Sequence, residues 1–170
     1  MSNKIDRPNP KLIKFIELLR RKNIHDFNID KFDSRIRMQK YVYIAKEFFG
    51  IDLDYNFSLY IRGPYSSDLA DDYYSIGGFT SGNLPDSIID MEKFKEFEKF
   101  VKEHNKIADL EVITTIHFLN ETNKHLVTYG RLSKNTLRSF IIERTHDLKN
   151  VSKKKIEEFY DLLLRKGFLS

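Results

Sequence analysis

The sequence predicts a mainly α-helical protein with a small β element. Six or seven segments carry apolar residues at helical spacing, whereas one segment, residues 56–61, shows the alternation of a strand. Hydrophobic residues make up 41% of the 170 positions and aromatic residues 14%, which suffices for a core. We therefore expect one compact multi-helix domain over residues 1–170, with a core motif region at 34–77 and a C-terminal helical part at 90–170. A winged-helix-like arrangement is one form that this pattern allows.

Two helices are predicted before the strand. Asn9 can cap a helix that Pro10 begins, and the apolar spacing continues this helix over residues 10–22. A second helix is predicted from Asp33-Ser34 to Gly50, where glycine suits the C-cap.

The predicted strand is followed by a turn and a third helix. Phe57, Leu59 and Ile61 alternate with polar residues, and Gly63-Pro64 is expected to stop this lone strand. Ser66 or Ser67 can cap the helix that follows. Residues 77–85 are predicted to form a loop, a short hairpin or a wing.

Four helices are predicted in the C-terminal part. They cover residues 90–104, 108–120 and 133–144, and a last helix that starts at Ser152 and is terminated by Gly167. The helix over 108–120 is the most apolar of them and is the candidate for a central buried helix.

Composition excludes several classes of function. The chain has no cysteine, which rules out disulfides, thiol catalysis and cysteine-ligated metals. No apolar run approaches the ~20 residues of a membrane span, and residues 1–10 lack the features of a signal peptide. We expect a soluble cytoplasmic protein. No phosphate-binding glycine loop is present, and no cofactor is predicted.

Catalytic and metal-binding patterns are weak. His117, Glu121 and His125 have the spacing of one helical face, but the sequence turns polar after Asn120, so the helix is expected to end before His125. No metal site is therefore predicted. An acid–base cluster of Glu143, His146 and Asp147 lacks an identifiable nucleophile, and the chain is not expected to be an enzyme.

Two short motifs carry a resemblance to a known family. They are Met38-Gln39-Lys40-Tyr41-Val42-Tyr43 and Leu59-Tyr60-Ile61-Arg62-Gly63-Pro64-Tyr65-Ser66. With the residues between them, they resemble the uncharacterised prokaryotic family typified by the bacterial protein YwgA. More distantly, they are similar to the Panacea (SocA-type) antitoxin domain. The resemblance implies a mostly helical fold without an established enzyme activity, and the Panacea relatives imply the neutralisation or adaptation of a partner protein.

The predicted function is that of a regulatory module, antitoxin- or adaptor-like, that binds a protein partner. Tyrosine and arginine supply concentrated contact energy at interfaces, and the expected patch consists of Tyr60, Arg62, Tyr65 and Lys40. A homodimer is a further alternative for the partner.

The alternative prediction is a winged-helix-like regulator that binds nucleic acid. Lysine and arginine exceed acidic residues by 6 over residues 1–50 and by 4 over 101–170, whereas residues 51–100 carry an acidic excess of 6. Basic ends can contact phosphates, although such a layout also arises from solvated faces. The candidate contacts are Arg35, Arg37, Gln39, Lys40, Lys153, Lys154 and Lys155.

Overall fold

A computed structural model describes residues 9–76, 82 and 84–170 of the chain. The described residues form seven α-helices and one two-stranded antiparallel sheet, which confirms the predicted mainly helical class. They divide into two compact units. The first unit contains the described residues up to Phe57 together with Ser66–Asn105, and the second contains Ser58–Tyr65 and Lys106–Ser170.

The described residues of the first unit form four α-helices and one short 3-10 helix. Their bounds are Pro10–Arg21 (α1), Phe32–Phe49 (α2), Ser67–Ser75 (α3), Asp86–Ile88 (the 3-10 helix) and Met91–Glu103 (α4). The predicted caps are confirmed. The Asn9 side chain accepts from the Lys11 amide, and Gly50 ends α2 with a φ of 68°.

The core of the first unit is aromatic. Phe15, Phe94 and Phe97 are fully buried, and their ring centroids lie 5.4–6.0 Å apart. Tyr41 of α2 packs edge-on against Phe97 at 5.9 Å. Such tilted and edge-on pairs add stability beyond the burial of apolar area, by roughly 0.5–1.5 kcal/mol each.

The second unit contains a hairpin and three helices. The strands are Ser58–Tyr60 (β1) and Gly63–Tyr65 (β2), and the helices are Ile107–Thr128 (α5), Lys134–Lys149 (α6) and Lys153–Arg165 (α7). Helix α5 packs against β2, α6 and α7 and is buried along most of its first half. The prediction of a central buried helix thus describes α5 within this unit. Its apolar core also includes Leu137, Ile141, Ile156 and Leu163.

Three local predictions need correction. The lone strand over 56–61 is a hairpin, because Gly63-Pro64 continues as the second strand instead of stopping the first. Helix α5 runs eight residues past Asn120, and α6 runs five past Arg144. Most of the loop predicted over 77–85 lies outside the described residues.

Within the described part of the chain, no helix combines the length and the apolar character that crossing a bilayer requires. The predicted winged-helix arrangement and the single domain over 1–170 stay predictions.

Candidate functional site

The hairpin of the second unit ends in a tight turn at Ile61 and Arg62. Its strands pair antiparallel, with Ser58 opposite Tyr65 and Tyr60 opposite Gly63. Gly63 has a φ of 90°, a backbone conformation that L side chains rarely adopt. The glycine after the turn therefore allows the chain to reverse within two residues.

A buried lysine holds this turn in place. Lys149 lies at the end of α6 with its side chain 5% exposed, and its Nζ donates to the carbonyl oxygen of Ile61 at 2.7 Å. The same Nζ lies 3.7 Å from Oε2 of Glu111 on α5. Burial lowers the pKa of Lys149, and the Glu111 carboxylate acts in the opposite direction. The backbone of the turn is thus fixed by two helices of its own unit.

The side chain of Arg62 forms an ion pair with Glu111 of α5. Its guanidinium lies 3.5 Å from Oε1 of Glu111, yet that oxygen accepts no hydrogen bond from any described residue. The Arg62 side chain is 54% exposed. Because the contact is an ion pair at a partly exposed site, it contributes little to stability.

The turn presents an exposed apolar and aromatic surface. Ile61 is 86% exposed and Tyr60 is 57% exposed. The rings of Tyr60 and Tyr65 meet edge-on at 5.4 Å, which supports each ring against the other. We refer to Tyr60, Ile61, Arg62 and Tyr65 as the hairpin tip.

The structure brings together three of the four residues predicted to bind a partner. Tyr60, Arg62 and Tyr65 belong to the hairpin tip, whereas Lys40 lies in the first unit and is 1% exposed, so its side chain offers almost no surface to a partner. Sequence reasoning missed Ile61, because strand alternation grouped it with the inward residues Phe57 and Leu59. The signal that could have identified it is the glycine two positions later, which suits a hairpin turn.

Most of the residues predicted to contact nucleic acid are engaged within the protein. Gln39 is fully buried, and Lys40 is nearly so. Arg35 donates to the carbonyl of Ile29 at 2.6 Å, and Arg37 donates to the carbonyl of Asn105.

The predicted lysine run at the start of α7 is exposed but largely ion-paired. Lys153 contacts Glu143 at 2.5 Å, and Lys155 contacts Asp109 at 2.8 Å. Lys154 is exposed and has no hydrogen bond or ion pair with the described residues. Two of the three charges are therefore balanced by neighbouring carboxylates.

Helix α5 continues through the His117, Glu121 and His125 positions. Nε2 of His117 lies 3.8 Å from Oε1 of Glu121, while Glu121 Oε2 pairs with Lys124 at 2.8 Å. His117 is 2% exposed, and this burial lowers its pKa to about 4. In the described part of the chain, no three histidine or acidic side chains are grouped so as to hold a metal ion.

Comparisons with known proteins add no relative: no family model, curated protein or solved structure matches the chain. The resemblance to the YwgA-like family and the Panacea domain therefore stays a prediction.

Proposed function

We propose that the protein is a non-enzymatic cytoplasmic regulatory module that binds a protein partner through the hairpin tip. The observation that carries this proposal is the contrast at Ile61. Its side chain is 86% exposed, while its carbonyl oxygen is held by the buried Lys149. The motif resemblance to antitoxin domains points in the same direction, and the cysteine-free sequence fits a reducing compartment.

An ordered apolar tip is well suited to binding. Transferring an isoleucine side chain from water into an apolar pocket contributes about 1.5–3 kcal/mol. Lys149 and Gly63 already fix the turn, so association loses less conformational entropy than it would with a mobile loop. Tyr60 and Arg62 flank Ile61, and both residue types are enriched where interface energy concentrates.

The charge of the second unit indicates the character of the partner. This unit contains 13 lysine and arginine residues against 8 aspartate and glutamate residues, a net charge of +5. A surface that receives the tip would therefore offer an apolar pocket for Ile61, with carboxylates near Arg62. Opposite charges accelerate the encounter and select against basic partners.

Site-specific crosslinking tests the proposal. A photo-crosslinking amino acid replaces Ile61 in the cells that carry the protein, and Phe140 of α6 serves as the matched control because it is also an exposed apolar residue of the second unit. We expect one protein to be crosslinked from position 61 and not from position 140. Equal products at both positions would contradict the proposal.

The captured protein is then purified, and its affinity is measured by calorimetry. We expect Ile61→Asp to weaken binding at least 10-fold and Arg62→Ala and Tyr65→Ala to weaken it severalfold, whereas Phe140→Asp leaves it unchanged. Lys149→Met should also weaken binding, because the buried Lys149 would act by holding the turn. Wild-type affinity in Ile61→Asp would exclude the hairpin tip as the binding site.

A further inference from the structure

The second unit contains a cavity that the proposed function does not use. It lies among α5, α6 and α7 and has a volume of about 630 Å³. Cavities of this size bind small organic molecules in other proteins. All of its lining residues lie between Asn120 and Ser170, so none of them belongs to the hairpin tip.

One lining side chain carries a buried donor without an acceptor. Asn120 is 1% exposed, and its Nδ2 has no hydrogen-bond partner among the described residues. Leaving a buried amide donor unsatisfied costs roughly 1–3 kcal/mol, so such groups usually have a partner. An amide N–H requires an oxygen or nitrogen acceptor, which a bound molecule could supply.

The charge of the lining favours an anion. Lys124, Lys134 and Arg138 line the cavity together with one acidic side chain, that of Glu121, and with Ser170, whose hydroxyl accepts from Lys124 at 3.3 Å. Lys124 already pairs with Glu121 at 2.8 Å, and Arg138 lies 3.4 Å from Asp161. Lys134 is exposed and forms no ion pair with a described residue. A ligand with a negative head would therefore meet an excess of positive charge.

The remaining surface of the cavity is largely apolar. Leu137 and Tyr160 are buried in the lining, and Leu164 is 51% exposed at the cavity. A purely polar anion such as free phosphate would leave these side chains in contact with water, whereas an apolar body would cover them. The cavity thus combines an apolar wall with cations and one unsatisfied donor.

We infer that this cavity binds a small amphipathic anion, with a carboxylate or phosphate head on an apolar body. An oxygen of the head accepts from Nδ2 of Asn120, the basic side chains balance its charge, and the body packs on Leu137, Tyr160 and Leu164. The inference is independent of the proposed function, because no residue of the hairpin tip lines the cavity.

Calorimetry on the full chain tests the ligand class. Decanoate and decyl phosphate are the probes, each below its micelle concentration, and decan-1-ol is the neutral control with the same body. We expect one saturable site for at least one anion, with decan-1-ol at least 10-fold weaker. The tighter of the two anions identifies the preferred head. The absence of saturable binding by both anions, or equal binding of decan-1-ol, would overturn the inference.

Variants locate the site. Asn120→Leu removes the donor at similar volume, and we expect affinity to fall about 10-fold, as for the loss of a hydrogen bond to a charged group. Lys134→Gln should weaken binding about 3-fold. Lys154→Gln is the matched control, because it removes an exposed lysine from the same unit outside the cavity lining, and it should bind as wild type.

A blocking variant keeps the test decisive if Asn120→Leu does not fold. Leu164→Trp enlarges a half-exposed side chain at the cavity and should abolish anion binding without a large loss of stability. Wild-type affinity in both Leu164→Trp and Lys134→Gln would place the anion elsewhere and overturn the inference. Crosslinking at Ile61 reports on the hairpin tip, so failure of either idea is distinguishable from failure of the other.

Discussion

Gln39 illustrates what a single residue contributes beyond its local pattern. Its fully buried amide donates to the carbonyl of Ser66 at 2.9 Å and accepts from the amide of Ser66 at 2.8 Å. This two-point contact fixes the residue that caps α3, since Ser66 Oγ accepts from the Leu69 amide at 3.2 Å. Within the first unit, the first of the two motifs that carry the family resemblance therefore contacts Ser66, the last residue of the second motif.

The cap at Ser66 could be predicted from sequence, but its contact with Gln39 could not. Capping depends on neighbours within three residues, whereas Gln39 and Ser66 are 27 positions apart. The same limit applies to the hairpin tip. Lys149 reaches the Ile61 carbonyl across 88 positions, and nothing local marks that lysine as a support. Sequence reasoning thus grouped Tyr60, Arg62 and Tyr65, which the structure places in one hairpin, but it identified neither Ile61 nor Lys149.

His117 should make the stability of the protein sensitive to acid. Burial lowers its pKa to about 4 in the folded state, against 6.5 in the unfolded chain, with Glu121 raising and Lys124 lowering it. As the pH falls below 6.5, the unfolded state takes up the proton first. The contribution of neutral His117 to the free energy of unfolding is therefore complete above pH 6.5 and is lost as the pH falls toward 4. At pH 4.5 the loss is on the order of 2 kcal/mol.

Urea unfolding at pH 7 and pH 4.5 measures this loss. We expect the free energy of unfolding to differ less between the two pH values in His117→Gln than in wild type, by about 2 kcal/mol. His125→Gln is the control, because His125 lies two turns further along the same helix and is exposed. His25, whose pKa burial also lowers to about 4, is unchanged in both variants and preserves part of the acid effect. An unchanged difference in His117→Gln would contradict the assignment.

At the scale of elements, local signals predicted helix starts better than helix ends. Asn9, Ser66, Asp90, Ser133 and Ser152 cap their helices, because a side-chain oxygen can satisfy free amides within the first turn. The end of α5 was misjudged, since polar residues after Asn120 suggested a loop. Thr122 and Asn123 instead bond back to the carbonyls of Phe118 and Leu119, at 2.9 and 2.8 Å, within the continuing helix.

The hairpin was misjudged for a related reason. Proline lacks an amide donor and usually interrupts a sheet, so Gly63-Pro64 indicated a stop. In a two-stranded sheet each strand has an unpaired edge, and Pro64 can occupy a position where no ladder donor is needed. Composition alone does not distinguish these two cases.

Gly63→Ala should destabilise the hairpin selectively. Alanine at a φ of 90° is strained by about 1–2 kcal/mol. Hydrogen exchange followed by mass spectrometry should show faster exchange in residues 58–65 of this variant. Gly130→Ala is the matched control. Gly130 also has a positive φ, of 70°, and no atom lies within 4 Å of the added Cβ, but this glycine lies between α5 and α6 and so outside the hairpin. Unchanged exchange at 58–65 in Gly63→Ala would contradict the role given to this glycine.

At the scale of the whole molecule, the helical class followed from local periodicity, but the division into units did not. The hairpin lies between α2 and α3 in sequence, yet it belongs to the second unit with α5, α6 and α7. Only long-range contacts such as the one between Lys149 and Ile61 determine that membership. The charge layout changes accordingly. Arg62 belongs to the second unit, whose net charge is +5, whereas the described residues of the first unit include 14 basic and 16 acidic residues, a net charge of −2.

This layout argues against a wide phosphate footprint. The excess of basic residues over positions 1–50 is offset within the first unit by its acidic residues. Of the seven residues predicted to contact nucleic acid, two are buried, two donate to backbone carbonyls and two pair with carboxylates. Lys154 is the exception among the described residues. A phosphate contact by any of the other six would therefore require breaking an interaction already present in the folded chain or exposing a buried side chain.

We expect weak duplex binding with a shallow dependence on salt. Each neutralised phosphate contributes about −0.9 to the slope of log affinity against log salt, so one or two contacts give a slope of about −1 to −2. Fluorescence anisotropy of a labelled 20-base-pair duplex between 50 and 300 mM KCl measures this slope. The triple variant Lys153→Gln, Lys154→Gln, Lys155→Gln should reduce it by about 1, because only Lys154 is available without breaking an ion pair. A slope steeper than about −5 that the triple variant abolishes would instead support a nucleic-acid regulator.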